Sequence, residues 1–111
     1  MVQNTFKREV AFRVFIKDVL SGSFVAQNDA PNYLSFGEEK IFRVNIIGSI
    51  LQRETIGSIT NLLFDDGTGT IVVRSFEENQ PINSLSVGDV VVIVGKPRIY
   101  NQERYISPEI I

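Results

Sequence analysis

The sequence predicts an all-β fold in which five strands close into a small barrel, preceded by an N-terminal extension. Apolar and polar residues alternate with a period of two in several short runs, as half-buried strands require. Turn-forming glycine, asparagine and aspartate separate these runs, and no internal repeat or linker interrupts them. With 111 residues the chain is long enough for one hydrophobic core. We therefore expect an extension of residues 1–40 that packs on a barrel of residues 41–111.

The extension is expected to contain one strand and one long loop. Residues 8–20 alternate between apolar and polar side chains, which predicts a half-buried strand. Residues 27–39 are rich in turn formers and predict a loop. The apolar side chains that can pin this loop to the barrel are Tyr33, Leu34 and Phe36.

The barrel region begins with a long strand from Ile41 to Gln52. Gly48 in its middle predicts a bulge or a sharp bend, because glycine otherwise weakens a strand. A connection is expected from Arg53 to Gly57, and Pro97 is expected to end or bulge the fourth strand. The four later strands are expected at residues 58–65, 70–75, 90–95 and 104–111.

Turn chemistry joins these strands. Asp66-Gly67-Thr68-Gly69 predicts a tight hairpin turn, and Tyr100-Asn101-Gln102-Glu103 predicts the last hairpin. Residues 77–86 lack alternation and predict a loop or short helix anchored by Ile82 and Leu85. Alternation directs Thr60, Leu62, Phe64, Ile71 and Val73 into the barrel.

A bent first strand, a plug between the third and fourth strands and a final hairpin describe a five-stranded Greek-key barrel with the OB fold. The alternative is an SH3-like barrel or a small sandwich. The segment between the third and fourth strands separates these folds, because an OB barrel uses a helix or loop there to plug its base.

Composition argues against an enzyme. The chain has no histidine and no cysteine, so the commonest general base, metal ligand and activated nucleophile are missing. Adjacent carboxylates occur at Glu38-Glu39, Asp65-Asp66 and Glu77-Glu78. Neighbours on a strand point to opposite faces, so these pairs are expected to be turns or solvated surface. We expect no catalytic residue, no metal and no cofactor.

Two stretches of the barrel region resemble a known family. The first is residues 64–71, which contain the Asp-Gly-Thr-Gly turn, and the second is residues 87–96. Both are similar to the OB domains of replication protein A and of related anticodon-binding proteins. Three further segments resemble the small archaeal proteins associated with replication protein A, which are similar to its middle subunit, namely residues 7–15, 30–34 and 43–48.

This resemblance implies single-stranded DNA binding in replication and repair, within a complex of several subunits. Relatives continue past the last strand, often into a helix used for assembly, whereas this sequence ends at Ile111. Either it is one domain of a longer chain, or its mode of assembly differs from theirs. No apolar run approaches the roughly 18–20 residues that cross a bilayer, and the N-terminus lacks a signal-peptide pattern. We expect a cytoplasmic protein, associated with the nucleoid if archaeal.

An OB fold binds a single strand across its second and third strands, between the first-to-second and fourth-to-fifth connections. Phe76 and Tyr100 match positions at which the replication protein A family carries stacking aromatics. Phe76 could instead plug the barrel base, and Tyr105 is expected to pack within the last strand. The polar side chains expected to contact nucleic acid are Arg53, Asn61, Arg74, Arg98, Asn101 and Arg104.

Leu63 and Val72 are expected to face outward on the same two strands, which favours a protein interface as the rival interpretation. The net charge of −2 and the pI of about 5.1 point the same way, because strong electrostatic binders of nucleic acid are usually basic. Three hypotheses therefore stand: a single-stranded DNA-binding module, a structural subunit of such a complex, and an RNA-binding barrel. None of them involves a membrane or a small-molecule substrate.

Overall fold

The computed structural model describes residues 10–76 and 81–110. Within these ranges the elements are β1 (Ala11–Arg13), α1 (Ile16–Ser21), β2 (Ser23–Val25), β3 (Tyr33–Phe36), β4 (Glu39–Ile41), β5 (Arg43–Ile56), β6 (Ile59–Asp65), β7 (Thr70–Ser75), a 3-10 helix (Pro81–Ser84), β8 (Val90–Tyr100) and β9 (Glu103–Ile110). No helix in this part of the chain has the length and apolar character needed to span a bilayer.

Five strands close into a barrel in the order β5-β6-β7-β9-β8, because β8 pairs again with β5. The β7–β9 pairing is parallel, and the other four are antiparallel. The last two strands of the chain are interchanged in this cycle, which is the Greek-key arrangement of the OB fold. The predicted fold class is confirmed.

The barrel interior is filled by alternate residues of its strands, as the period of two predicts. Thr60, Leu62 and Phe64 are at most 1% exposed, and Ile71 and Val73 are also buried. The same core contains, from β5, β8, β9 and the 3-10 helix, Val44, Ile46, Ile50, Ile93, Ile106 and Ile82. The burial of Ile82 confirms it as an anchor of the segment after the third barrel strand; residues 77–80 of that segment lie outside the described residues.

Strand β5 changes partner along its length. Residues 44–49 pair with β8 and residues 49–56 pair with β6. A Cβ on Gly48 would lie 2.4 Å from the Asp65 carbonyl oxygen, so the close approach of the two backbones requires glycine. The register irregularity falls after Gly48, between Ile50 and Gln52, so the predicted bulge is displaced from the glycine.

Helix α1 replaces the second half of the strand predicted over residues 8–20, and that prediction is wrong there. The Ile16 amide donates to Asp66 Oδ2 at 2.8 Å, and the Lys17 amide donates to the Thr68 hydroxyl at 3.1 Å. The turn between β6 and β7 thus caps the first amides of α1, which have no partner within the helix. The alternation within a single segment cannot reveal a cap that comes from 50 residues away.

The sequence predicts a loop over residues 27–39, and residues 27–32 do form one. Residues 33–36 and 39 instead belong to a small sheet in the order β2-β3-β4. Leu34 pairs with Ile41 across β3 and β4, and both side chains are buried. Leu34 therefore anchors the sheet as predicted, whereas Phe36 is exposed. Strands of three or four residues are too short to give a recognisable alternation.

Two boundaries in the barrel also differ from the prediction. Residues 53–56 continue β5, and the turn itself lies at Gly57 and Ser58. Strand β8 runs through Pro97, which is buried opposite Ile106. Its register irregularity lies earlier, between residues 94 and 95, so Pro97 neither ends nor bulges the strand.

The Asp66 carboxyl is expected to stabilise the fold only while it is ionised. Burial raises its pKa, but hydrogen bonds from the Thr68 side chain and from the backbone of Ile16, Thr68 and Gly69 outweigh burial and hold the pKa below its usual value. A carboxyl whose pKa is lower in the folded state stabilises that state above the unfolded pKa. The stabilisation is lost as the pH falls through the folded pKa.

We predict that Asp66→Asn lowers the free energy of unfolding by about 1–2 kcal/mol at pH 7, because the amide offers one acceptor where the carboxylate offers two. Urea unfolding at pH 7 and again at a pH below the folded pKa of Asp66 measures the difference, which should shrink at the lower pH. Asp29→Asn, in an exposed turn, is the matched control. A difference of equal size at both pH values would contradict this account.

We predict that Gly48→Ala lowers the free energy of unfolding by about 1–3 kcal/mol, the range for steric overpacking, because the new Cβ meets the Asp65 carbonyl. Chemical denaturation against Ser49→Ala, a neighbour on the same strand, tests this. Equal stability of the two variants would show that β5 and β6 can separate locally at no cost.

Candidate nucleic-acid interface

Two adjoining clefts lie on the outer surface of the barrel, between the β5–β6 hairpin and the β8–β9 hairpin. The larger has a volume of about 410 Å³ and is lined by Ile56, Ile59, Asn61, Arg74, Phe76, Tyr100 and Tyr105. The smaller has a volume of about 240 Å³ and is lined by Gln52, Arg53, Glu54, Asn61, Leu62, Leu63, Val72, Arg74 and Glu103. Asn61 and Arg74 line both clefts and divide one from the other.

Aromatic rings dominate the larger cleft. Phe76 is 52% exposed and Tyr100 is 65% exposed, so a flat ligand can reach both rings. The Phe76 ring meets Tyr105 edge to face, with centroids 6.4 Å apart at 71°. Phe76 does not plug the barrel base, because its side chain is open to solvent, whereas Ile82 lies fully within the core.

Tyr105 is the main residue of this cleft that the sequence interpretation missed. The sequence predicts that it packs within the last strand, yet its ring lines the cleft between Phe76 and Arg74. The signal was present in the alternation of β9, because Ile106 faces the core and its neighbour must face outward. Ile56 and Ile59 were also missed, because the turn they flank was placed elsewhere.

Arg74 is held at the boundary of the two clefts by three contacts. Its Nε donates to Asn61 Oδ1 at 2.7 Å, and its Nη2 donates to Glu103 Oε1 at 3.2 Å. The guanidinium carbon lies 4.9 Å from the centroid of the Tyr105 ring, a cation–π distance. The guanidinium plane is therefore fixed against the aromatic wall before any ligand arrives.

The Arg74 contact also orients the Asn61 side chain. A guanidinium only donates hydrogen bonds, so the atom of Asn61 that faces it must be the oxygen. The amide nitrogen is thereby turned toward Glu54, with Nδ2 3.4 Å from Oε2. One N–H of Asn61 is thus directed to Glu54, and its second N–H is the donor that a base edge could accept at the boundary between the clefts.

Leu63 and Val72 lie opposite each other on β6 and β7 and are half-buried in the smaller cleft. Arg53 lines the same cleft, but its cross-strand partner is the buried Leu62. Cross-strand partners share a face, so Gln52 and Glu54, rather than Arg53, project beside Leu63 and Asn61. The sequence interpretation did not include either of these two residues.

Three of the residues predicted to contact nucleic acid do not line either cleft. Arg98 donates from Nη1 to the Pro97 carbonyl at 3.1 Å. Asn101 occupies the β8–β9 turn with a φ of 52°, a conformation that asparagine tolerates. Neither residue lines a cleft. Arg98 nevertheless lies opposite Tyr105 across β8 and β9, so its side chain leaves the sheet on the same face as that ring.

Arg104 stabilises the fold through contacts with the end of α1. Its Nη1 donates to the Val19 carbonyl at 2.7 Å and to the Gly22 carbonyl at 2.6 Å. Its guanidinium carbon also lies 5.1 Å from the centroid of the Phe24 ring. These contacts tie the end of α1 to β9, so the structure does not support the predicted phosphate contact of Arg104.

Charges along the clefts are balanced. The smaller cleft contains two arginines, Arg53 and Arg74, and two carboxylates, Glu54 and Glu103. Within residues 10–76 and 81–110, no three acidic side chains gather closely enough to hold a metal ion. The surface is thus built for flat apolar groups with a few directed polar contacts, and it has little excess positive charge.

The chain is similar in sequence to an archaeal protein and in backbone structure to several solved chains. No family model matches the chain. An uncharacterized protein of the archaeon Methanocaldococcus jannaschii is 33% identical over 104 residues, which cover 94% of this chain and 41% of that protein. The chain therefore spans less than half the length of this relative.

Three solved structures share the backbone arrangement. A chain of a replication protein A heterotrimer bound to single-stranded DNA has a TM-score of 0.75 at 17% identity, covering 90% of this chain and 77% of its own. A chain of the S. pombe Stn1–Ten1 complex has a TM-score of 0.73 at 20% identity, and the match covers 88% of this chain and 74% of that chain. A chain of yeast replication protein A bound to single-stranded DNA has a TM-score of 0.70 at 19% identity, and the match covers 96% of this chain and 77% of that chain. Together with the strand order, these likenesses show that the chain has an OB fold similar to those of replication protein A and the Stn1–Ten1 complex.

Proposed function

We propose that this chain binds single-stranded DNA through the larger cleft and acts as a subunit of a complex in replication or repair. The observation that carries the proposal is the grouping of three aromatic rings with Arg74 and Asn61 in that cleft. The fold places the cleft between the two hairpins that flank the ligand surface of OB folds. Two of the similar solved structures were determined with single-stranded DNA bound, which supports the same ligand class here.

Base stacking is the main source of affinity in this proposal. A base on an exposed aromatic ring contributes about 1–3 kcal/mol whatever its identity, and Tyr100 and Phe76 are both more than half exposed. Tyr105 and Arg74 form the wall behind them. Because arginines and carboxylates are balanced along the smaller cleft, few phosphates are neutralised and the salt dependence is shallow.

The same surface does not favour catalysis or a distinct preference for DNA over RNA. We propose a binding protein rather than an enzyme, since the chain lacks histidine and cysteine. RNA remains the alternative ligand, because stacking and base-edge contacts are common to both nucleic acids and only the 2′-hydroxyl separates them.

A second candidate function is that of a structural subunit that contacts protein rather than bases. The observation that favours it is the apolar pair formed by Leu63 and Val72 on the outer surface. This candidate predicts that subunits copurifying with the chain from its native host are lost in Leu63→Asp or Val72→Asp. Retention of those subunits by both folded variants would remove it.

We predict that Tyr100→Ala and Phe76→Ala each weaken binding of fluorescent oligo-dT by roughly 5- to 150-fold, which corresponds to a loss of 1–3 kcal/mol of stacking. Titration with an oligonucleotide of about 20–30 nucleotides at low salt, beside the matching duplex, measures the effect. The wild-type chain should prefer the single strand.

The matched control is Phe15→Ala, because Phe15 is 57% exposed but does not line either cleft. It should leave the affinity unchanged. A folded Phe76→Ala, Tyr100→Ala double variant with wild-type affinity would exclude the larger cleft as the binding surface. Absence of binding by the wild type at high micromolar concentration would exclude the proposed function.

A further inference from the structure

We infer that Glu103 competes with the nucleic-acid backbone for the Arg74 guanidinium, so that a bound phosphate must displace the Glu103 carboxylate. The inference rests on the proposed function, because it names the residue that limits phosphate binding at the same site. It makes Glu103 a determinant of affinity and of salt dependence, although its own charge repels the ligand.

The position of Glu103 follows from the β8–β9 hairpin. It begins β9 and lies opposite Tyr100, so the two side chains project on the same face. Its Oε1 lies 3.2 Å from Arg74 Nη2. The Arg74 side chain is 18% exposed and that of Glu103 is 47% exposed. The carboxylate is therefore the more accessible partner and can leave without opening the fold.

Arg74 stays in place when the carboxylate leaves. Its Nε remains bonded to Asn61, and the guanidinium remains against the Tyr105 ring. Release of Glu103 therefore exposes one edge of a preoriented guanidinium, the geometry that suits a phosphate oxygen. The exchange replaces one anion by another, so little net favourable charge interaction is gained.

A second carboxylate reinforces this competition. Glu54 Oε2 lies 3.4 Å from Asn61 Nδ2, and both Glu54 and Glu103 line the smaller cleft beside Arg74. Any phosphate that approaches Arg74 thus meets two negative charges. Bases can enter the neighbouring aromatic cleft without this penalty, which makes the site selective for strands whose bases are unpaired.

The test compares Glu103→Gln with Glu109→Gln in oligo-dT titrations over a range of salt concentrations. Glutamine retains the acceptor that faces Arg74 and removes only the charge. Glu109 lies on the same strand and pairs with Arg43 at 2.7 Å, away from both clefts, so its substitution changes the net charge equally. Thermal unfolding checks that the variants fold. If Glu103→Gln does not fold, Glu103→Thr is measured in its place.

Glu103→Gln should tighten oligo-dT binding about two- to fivefold at low salt, the range expected for release of an exposed ion pair. It should also steepen the slope of log K against log salt by about 0.7, the value for one phosphate on a single strand that is neutralised without displacing a carboxylate. Glu109→Gln should change neither quantity. In an Arg74→Met background, Glu103→Gln should lose its effect, because the contested guanidinium is gone.

Unchanged affinity and slope in Glu103→Gln, with binding by the wild type intact, would overturn the inference and leave the proposed function standing. Equal tightening by Glu109→Gln would overturn it as well, since net charge alone would then explain the gain. Failure of the wild type and of every variant to bind would overturn the proposed function together with the inference.

Discussion

Closure of the barrel depends on the close passage of β5 over β6. The first half of β5 pairs with β8 and the second half with β6, so one strand forms ladders on both sides of the closure. The change of partner brings the Asp65 carbonyl to within 2.4 Å of where a Cβ of Gly48 would lie. Because β6 is fixed in this way, the neighbouring β7 is fixed with it. The cross-strand pair of Asn61 and Arg74, which divides the two clefts, takes its position from that ladder.

The two clefts are organised around the Arg74 guanidinium. Arg74 is held by an amide oxygen, a carboxylate and an aromatic ring at once. Such a network orders side chains from three strands before a ligand binds, and preorganisation reduces the entropic cost of association. The ion pair with Glu103 also neutralises part of the Arg74 charge within the protein. Under the proposed function, apolar contact with bases therefore replaces attraction to phosphates in this acidic chain.

The barrel and half of its site could be predicted from the sequence, whereas the N-terminal region could not. Alternation set the faces of β6 and β7, and turn chemistry placed the last hairpin, so Phe76 and Tyr100 were correctly expected beside the strands that carry the clefts. These signals are local. Helix α1 depends on Asp66, and Arg104 is bound by backbone carbonyls far away in sequence. An arginine beside aromatics therefore has the same sequence pattern whether it meets a phosphate or the end of a helix.

The N-terminal region and the barrel share one core. Ile16, Val19 and Leu34 belong to the same buried cluster as the barrel side chains, and β1 adds a parallel strand beside β5. The two regions are therefore expected to unfold in one cooperative transition rather than in sequence. Backbone amides of α1 should exchange with deuterated solvent nearly as slowly as those of the barrel. A chain trimmed to the barrel alone would lack side chains of its own hydrophobic core, so residues 10–40 are part of the folding unit.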